Sequence, residues 1–406
     1  MSPGNSSAER FEVAVVGGGP AGLTAAIALA SAGVATALLA SPSRAPDNRT
    51  TALLASSVTA LDTLGVWNRC RDHAAPLRVM RIVDATTRIW RAPEVRFDAA
   101  EIGLDAFGWN IENRHLIDAL DAHAATLGVL HRIDAAAQSI DIDSDGVTIA
   151  LGNGRAIRAT LAVGADGRHS LCRTAAGIET DTRHYPQTAL TFNLSHGRPH
   201  HDISTELHTE TGPFTLVPLP GQRSSLVCVV DPAEADALGA RDGTALDAEI
   251  ERRSHSILGK IAVAPGHGAF PLSVETARRF AADRIALIGE AAHVVPPIGA
   301  QGLNLGLRDA AAIGELAAAA HRAGADPGDA ELLALYDRMR RSDIGTRSLA
   351  IDLLNRSLLS DFLPVQGARG LGLYLLDRVG PLRRAVMREG VAPRAAQPRL
   401  MRGERL

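Results

Sequence analysis

Three short segments of this 406-residue chain combine residue types and spacings that could hold and use a cofactor. The first is Gly17-x-Gly19-x-x-Gly22, with Pro20 and Ala21 inside it. Glycines at this spacing let a pyrophosphate approach the backbone N–H groups at a helix start, which points to a dinucleotide but is weak alone. The second is Asp166-Gly167-Arg168, followed by Ser170 and Arg173. The third is Gly289-Glu290-Ala291-Ala292-His293, followed by Pro296, Pro297, Gly299, Gln301, Gly302, Leu303 and Asn304. Asp166 and Glu290 each follow an apolar run, where a carboxylate can accept hydrogen bonds from hydroxyl groups. His293 is a candidate base, its alternative being a hydrogen-bonded structural histidine. In this order the three segments describe a cradle for a whole FAD.

The elements that must position these residues follow from local pattern. Phe11 to Val16 is an apolar, β-branched run suited to a strand buried on both faces. Gly17 allows the turn, and Pro20 has the φ favoured in a first helical turn, so a helix is predicted from Pro20 to Ala32. Gly33 suits a left-handed cap, and Val34 to Leu39 reads as the next parallel strand. That strand ends on Ala40, where a dinucleotide site normally offers Asp or Glu to the ribose. Either the backbone with Ser41 and Ser43 replaces the acid, or the site has lost affinity for its cofactor. Leu161 to Gly164 and Arg284 to Gly289 are two more buried strand segments, and a helix is expected from about Gly302 to Ala320. Its positive end would favour the charge of a reduced flavin. Pro296 and Pro297 stiffen the approach and offer no N–H, which helps exclude water; their alternative is a plain turn.

The bulk composition excludes several function classes. Net charge is -3, so no overall positive charge draws the chain to nucleic acid or anionic lipid. Lys260 is the only lysine, which reflects coding bias rather than function. Cys70, Cys172 and Cys228 are few, scattered and odd in number, which fits a reducing compartment and gives no metal-ligand spacing. Met1 to Arg10 lacks the order of a secretory signal, and a cytoplasmic location is expected. Ala21 to Ala40 is apolar enough to suggest a span, but Gly22 and Gly33 punctuate it as a buried βαβ unit.

With Gly164-Ala165-Asp166-Gly167-x-x-Ser170-x-x-Arg173 and the run from Gly289 to Asn304, the sequence resembles the single-component FAD-dependent aromatic hydroxylases. Pro296 to Asp309, Asp47 to Leu53, and the tail from Phe362 to Gly372 narrow the resemblance to ubiquinone-biosynthesis hydroxylases of the UbiH/UbiF/Coq6 type. It implies an α/β fold: a Rossmann-like FAD-binding domain of the GR2 type, like p-hydroxybenzoate hydroxylase, with an inserted antiparallel-sheet substrate domain and a C-terminal helical tail. The expected divisions are 1–73, 101–176 and 272–345 for FAD, 74–100 and 177–271 for substrate, and 346–406 for the tail. Alternating stretches at Thr188–Leu194 and Ser225–Val230 suit the inserted sheet, and Arg78–Arg91 is expected to join it.

The family's roles carry over by position. Gly17, Gly19, Pro20, Ala21 and Gly22 would line the pyrophosphate, and Arg49 would reach the cofactor, its alternative being an ordinary solvent arginine. Asn113, Asp166, Gly167, Glu290, Pro297, Gly299, Gln301, Gly302, Leu303 and Asn304 complete the implied FAD set. For Asp166 the alternative is a turn-forming Asp-Gly, and Glu290 stands where most relatives have Asp. The catalytic group is unassigned, with His293 and Pro297 as candidates beside the flavin. Phe97, Phe107 and Trp109 are either cavity wall or core, more often core.

The resemblance further implies NAD(P)H as transient reductant, O2, and hydroxylation of a polyprenylated phenol or benzoquinol through a flavin C4a-hydroperoxide. Two alternatives stand: hydroxylation of a small soluble aromatic, and a non-catalytic FAD-binding component of a biosynthetic complex. No nucleic acid or metal is expected. Leu349, Leu353, Leu354, Leu358 and Leu359, then Leu371, Leu373, Leu375 and Leu376 before Arg378, Arg383 and Arg384, form an amphipathic tail. It either rests on the inner membrane as a peripheral contact or packs against the cofactor domain, a second subunit or a partner in a ubiquinone-biosynthesis complex.

Overall fold

The computed structural model describes residues 8–41, 48–87, 91–297, 299–359, 378–391 and 397–406. The apolar run at Phe11 becomes β1 (Glu9–Val16), fully buried from Val13 to Val15. It turns at Gly17 into α1 (Pro20–Ser31), and the chain returns through Gly33, at φ +87°, to β2 (Thr36–Leu39). The long apolar stretch at Ala21 is thus a helix and a short strand. There follow β3 (Thr50–Leu54), α2 (Ala55–Thr63), β4 (Ala74–Pro76), β5 (Val79–Asp84), β6 (Val95–Asp98), β7 (Gly108–Glu112) and α3 (Asn113–Ala124). Next come β8 (Leu130–Ile133), β9 (Ala137–Ile142), β10 (Val147–Leu151), β11 (Ala156–Gly164) and α4 (Leu171–Ala175).

The second half opens with β12 (Thr180–His196), β13 (Ile203–His208), β14 (Pro213–Leu219) and β15 (Arg223–Val230). After α5 (Pro232–Gly239) and α6 (Gly243–Arg253) come β16 (Ile261–Val263), β17 (Gly268–Ala277), β18 (Ala281–Ala282), β19 (Ile285–Leu287) and β20 (His293–Val294). The chain then forms α7 (Gln301–Arg322) and α8 (Ala330–Leu359). A last helix, Gly380–Val391, follows.

The first sheet runs β18-β19-β11-β1-β2-β8, with β19, β11, β1, β2 and β8 parallel and the β9–β10 hairpin added to β11. Its parallel strands need helical crossovers, which explains their apolar character on both faces. On the helical side, Leu305, Leu307 and Ile313 of α7 are fully buried, and each such side chain contributes about 1.5–3 kcal/mol.

The second sheet has nine strands, ordered β20-β17-β12-β15-β14-β13-β5-β6 with β16 on β12. The stretches expected at Thr188 and Ser225 pair directly, antiparallel, and β5 extends the sheet from the Arg78 segment; Arg88 to Trp90 lie outside the described residues. One face packs Leu190, Phe192, Phe214, Leu216 and Leu226 against Leu238, Leu246 and Ile250 of α5 and α6. The other face meets β3: Asn193 Nδ2 donates to Asn48 O at 2.9 Å, and Thr50 Oγ1 donates to Ser225 Oγ at 2.8 Å. A small sheet, β3-β7-β4, lies there, tied by Asn110 Nδ2 to Pro218 O at 2.9 Å.

Phe107 is buried with Ala99, Met387 and Val391, and Trp109 meets Trp67 edge-on in the main core. Phe107 is a core residue, and Trp109 packs partly buried against the core. Phe97 lies beneath the Arg383 guanidinium, 4.7 Å from ring centre to Cζ. Arg383, part of the basic run of the amphipathic tail, turns inward to Glu101, with Nε–Oε2 at 2.7 Å and Nη2–Oε1 at 2.8 Å. That pair docks the last helix, leaving Leu382 and Val386 exposed. The tail segment from Asp361 to Asp377 and the side chains of Leu349 to Leu359 lie outside the described residues. Among the described residues, no helix is long and apolar enough to cross a membrane.

Candidate functional site

The three glycine-bearing segments meet at the carboxyl ends of neighbouring parallel strands. Val16 of β1 pairs with Gly164 of β11, and Gly164 pairs with Leu287 of β19. The backbone continues the register past the strands, Ala165 N donating to Val16 O at 2.8 Å and Ile288 N to Gly164 O at 2.9 Å. Glycine is required where the segments touch. A Cβ on Gly17, at φ +121°, would lie 2.1 Å from Ala165 O, and one on Gly22 would lie 2.0 Å from Gly17 O. A Cβ on Gly306 would lie 3.1 Å from Gly289 Cα and 3.3 Å from Ala21 Cβ. The crevice outside the carboxyl ends of such a sheet is where ligands bind in open α/β folds.

Two helix starts open onto this crevice. Helix α1 starts at Pro20 after Gly19 and α7 at Gln301 after Ala300, and neither capping residue supplies a side-chain hydrogen bond to its helix start. Nothing lies within 4 Å of a Cβ built on Gly19 or Gly299. Ala300 has φ +54° next to Gly299 at +65°, a bent backbone leading into α7. Two helix starts without a side-chain cap, with room beside Gly19 and Gly299, suit an anionic cofactor such as FAD. Pro296 is buried, whereas Pro297, Gly299 and Gly302 are exposed along this approach. Gln301 is turned back, its Nε2 donating to Gly299 O at 3.1 Å.

Several expected cofactor ligands have local partners. Asp166 Oδ1 accepts from Ser170 Oγ at 2.6 Å and Oδ2 from Cys172 N at 3.0 Å, so its carboxylate organises the turn into α4. Arg173 ties that turn to the third segment, donating to Ala291 O at 2.8 Å and Arg168 O at 2.7 Å. Asn304 is 3% exposed and braces α7 to β3: Nδ2 donates to Ala52 O at 2.8 Å, and Oδ1 accepts from Leu54 N at 2.9 Å. Asn113 Oδ1 accepts from Thr51 Oγ1 at 2.6 Å. Leu303 packs against the main core, and Gly167, at φ +80°, completes the Asp166 turn. Glu290 is exposed, and so is Arg49, whose guanidinium lies 5.8 Å from the Phe270 ring centre. Ala40 is buried, Ser41 is exposed, and Ser43 lies outside the described residues.

His293 faces inward. Its ring is 2% exposed, and Nε2 meets Asp309 Oδ2 at 2.7 Å. The same oxygen accepts from Gly289 N at 2.9 Å, while Oδ1 accepts from Arg340 Nε at 2.6 Å. Asp343 bridges Arg340 and Arg308 at 2.8 and 3.0 Å. Burial pushes the Asp309 carboxyl up, but Arg340 and His293 outweigh it and hold it below the usual range. His293 therefore anchors the Gly289 turn through Asp309, a carboxylate whose part is visible in the sequence only as a charge inside an apolar helix.

Comparison with known proteins places this geometry. A family model described as an FAD binding domain matches residues 10–348. The chain is 36% identical to the ubiquinone hydroxylase UbiL of Rhodospirillum rubrum, covering 99% of this chain and 95% of that protein. It is 31% identical to the 3-demethoxyubiquinol 3-hydroxylase of Escherichia coli, covering 93% and 97%. The crystal structure of p-nitrophenol 4-monooxygenase PnpA from Pseudomonas putida superimposes with a TM-score of 0.77 at 21% identity, over 96% of this chain and 100% of that one, a likeness of fold. The chain belongs to the FAD-binding flavoprotein aromatic monooxygenases, in the family that holds these ubiquinone hydroxylases.

Proposed function

We propose that this protein hydroxylates the ring of a polyprenylated phenol or benzoquinol in ubiquinone biosynthesis. The observation that carries the reading is identity of 36% and 31%, over nearly whole chains, to proteins named as ubiquinone and demethoxyubiquinol hydroxylases. When bound, FAD supplies hydride acceptance from NAD(P)H and activation of O2, chemistry that side chains lack. The chain's own share is binding, orientation and exclusion of water.

In this reading Gly17, Gly19, Pro20, Ala21 and Gly22 receive the pyrophosphate on the N–H groups of α1. Gly299, Gln301, Gly302 and Leu303 present the start of α7 to the flavin, and Pro297 shields it. Asp166, Gly167, Asn113 and Asn304 act by shaping the loops that frame the cofactor, a role supported by their bonds to Ser170, Thr51, Ala52 and Leu54. Glu290 and Arg49, both exposed at the crevice, approach the ribitol and the phosphate or flavin edge. The cofactor part comprises 1–73, 101–176 and 272–345, with 74–100 and 177–271 forming the substrate part and 346–406 the tail.

The same reading gives the tail a peripheral contact with the inner membrane, where a polyprenylated substrate would be collected. Mass spectrometry of quinone intermediates in cells lacking the gene tests the assignment. Accumulation of a polyprenylphenol lacking one hydroxyl supports it, and an unchanged quinone pool defeats it. Substrate-stimulated NAD(P)H oxidation with oxygenated product would exclude a non-catalytic role.

A further inference from the structure

We infer that Glu206, held by His208, is the group that takes the proton from the substrate's ring hydroxyl during hydroxylation; this rests on the proposed phenol or quinol substrate. Sheet register sets the position of Glu206. Thr191 of β12 pairs with Val227 of β15, Val227 with Thr215 of β14, and Thr215 with Glu206 of β13. Directly paired residues share a face. The neighbouring row contains Asn193 and Ser225, whose bonds to Asn48 and Thr50 turn this face toward the cofactor part. Leu207, between Glu206 and His208, points the other way into the α5–α6 core.

The row is also open. Thr191, Val227 and Thr215 are half-buried, unlike the sealed opposite face. With strands about 4.8 Å apart, Glu206 lies roughly 10 Å across the face from Val227. The lining is therefore aliphatic and hydroxylic, with one carboxylate. His208, with only 5% of its side chain exposed, meets Glu206 Oε1 at 2.7 Å, while the Glu206 side chain remains 22% exposed. Oε1 is thereby engaged, and the carboxylate stays partly exposed on the face turned toward the cofactor part. A buried imidazole backing a half-exposed carboxylate is the arrangement of a positioned proton acceptor.

The step balances. As the ring carbon forms its bond to the oxygen delivered from O2, the phenolic C–O becomes a carbonyl, its O–H bond breaks, and the proton passes to Glu206 Oε2. The ring gives up two electrons to O2, and the reduced cofactor, when bound, would supply the other two, so that the second oxygen atom leaves as water. Loss of the ring C–H proton to water and return of the proton from Glu206 to the carbonyl oxygen restore the aromatic ring. Glu206 is the catalytic residue and His208 a positioning residue.

The test uses full-length FAD-loaded protein with NAD(P)H, a farnesylated phenol and its ring-fluorinated, more acidic counterpart. Glu206→Gln should keep its FAD and its NAD(P)H oxidation but form hydroxylated product about 100-fold more slowly, diverting O2 to hydrogen peroxide. The fluorinated phenol, needing less help to lose its proton, should narrow that gap at least tenfold, an effect a merely structural role would not give. Glu206→Asp should retain an intermediate rate, and His208→Gln, which can still donate to the carboxylate, should lose less than Glu206→Gln. If Glu206→Gln fails to fold, Glu206→Asp carries the same comparison between the two phenols. Wild-type hydroxylation with a Glu206→Gln rate within threefold overturns the role of Glu206 and leaves the proposed function standing. Absence of oxygenated product from the wild type overturns both.

Discussion

Replacing Gly19 with alanine adds a methyl group where no protein atom lies within 4 Å, on a backbone at φ -76° and ψ 173° that any residue adopts. The folded protein should tolerate it, and a narrower unfolded ensemble should add about 0.4–1 kcal/mol of stability. If a pyrophosphate occupies that space, the methyl displaces it from the first N–H groups of α1. Loss of one charge-assisted hydrogen bond costs about 1.5–3 kcal/mol, which at about 1.4 kcal/mol per tenfold weakens FAD binding roughly 10- to 100-fold. Gly22→Ala gives the contrast. Its Cβ would lie 2.0 Å from Gly17 O and 3.0 Å from Ala165 Cβ, so backbone must move, and overpacking costs about 1–3 kcal/mol. Thermal unfolding of protein stripped of FAD, with quenching of FAD fluorescence on titration, separates the two effects. Gly19→Ala should keep or raise Tm and raise Kd for FAD; Gly22→Ala should lower Tm. Wild-type FAD affinity in Gly19→Ala would refute the placement of the cofactor at α1.

Asp309→Asn should cost about 3–5 kcal/mol by leaving Arg340 without its buried partner, measured by denaturant unfolding. Because the folded pKa of Asp309 is depressed, its stabilisation is complete above the unfolded value of about 4 and is lost as pH falls through the folded value. The variant should therefore lose less stability than wild type on acidification below that range. Asn304→Ala should cost about 1–3 kcal/mol for each buried backbone group it abandons, at Leu54 N and Ala52 O, and lower Tm by a matching amount. Burial pushes the Cys70 thiol up to about 11 and the Cys228 thiol up to about 12. Native protein at pH 8 should accordingly leave a thiol reagent unreacted until denatured.

What could be read from sequence was what neighbours in sequence decide. The strand-turn-helix at Phe11 to Ala32 declares itself by an apolar run, three glycines and a proline. The βαβ unit was legible for the same reason. The glycines were assigned to cofactor approach, yet Gly17 and Gly22 are also required by contacts within the protein, Gly17 against a segment some 150 residues away. The brace made by Asn304 was not legible, because its partners Ala52 and Leu54 are supplied by β3 at a separation of about 250 residues. For Asp166 the competing answer lay close by, in Ser170 and Cys172, and Asp-Gly alone does not choose between a turn and a ligand. Arg383 carries a charge that suggests water, and only the position of Glu101 turns it inward. Glu206 was invisible because its face depends on the register of four strands.

Incubation of the purified FAD-loaded protein with NAD(P)H, a farnesylated phenol and oxygen-18-labelled O2 tests the central claim most directly. One labelled oxygen in the ring of the product, formed only when protein, reductant and O2 are all present, is the predicted result. Oxidation of NAD(P)H with no label in any aromatic product would contradict it.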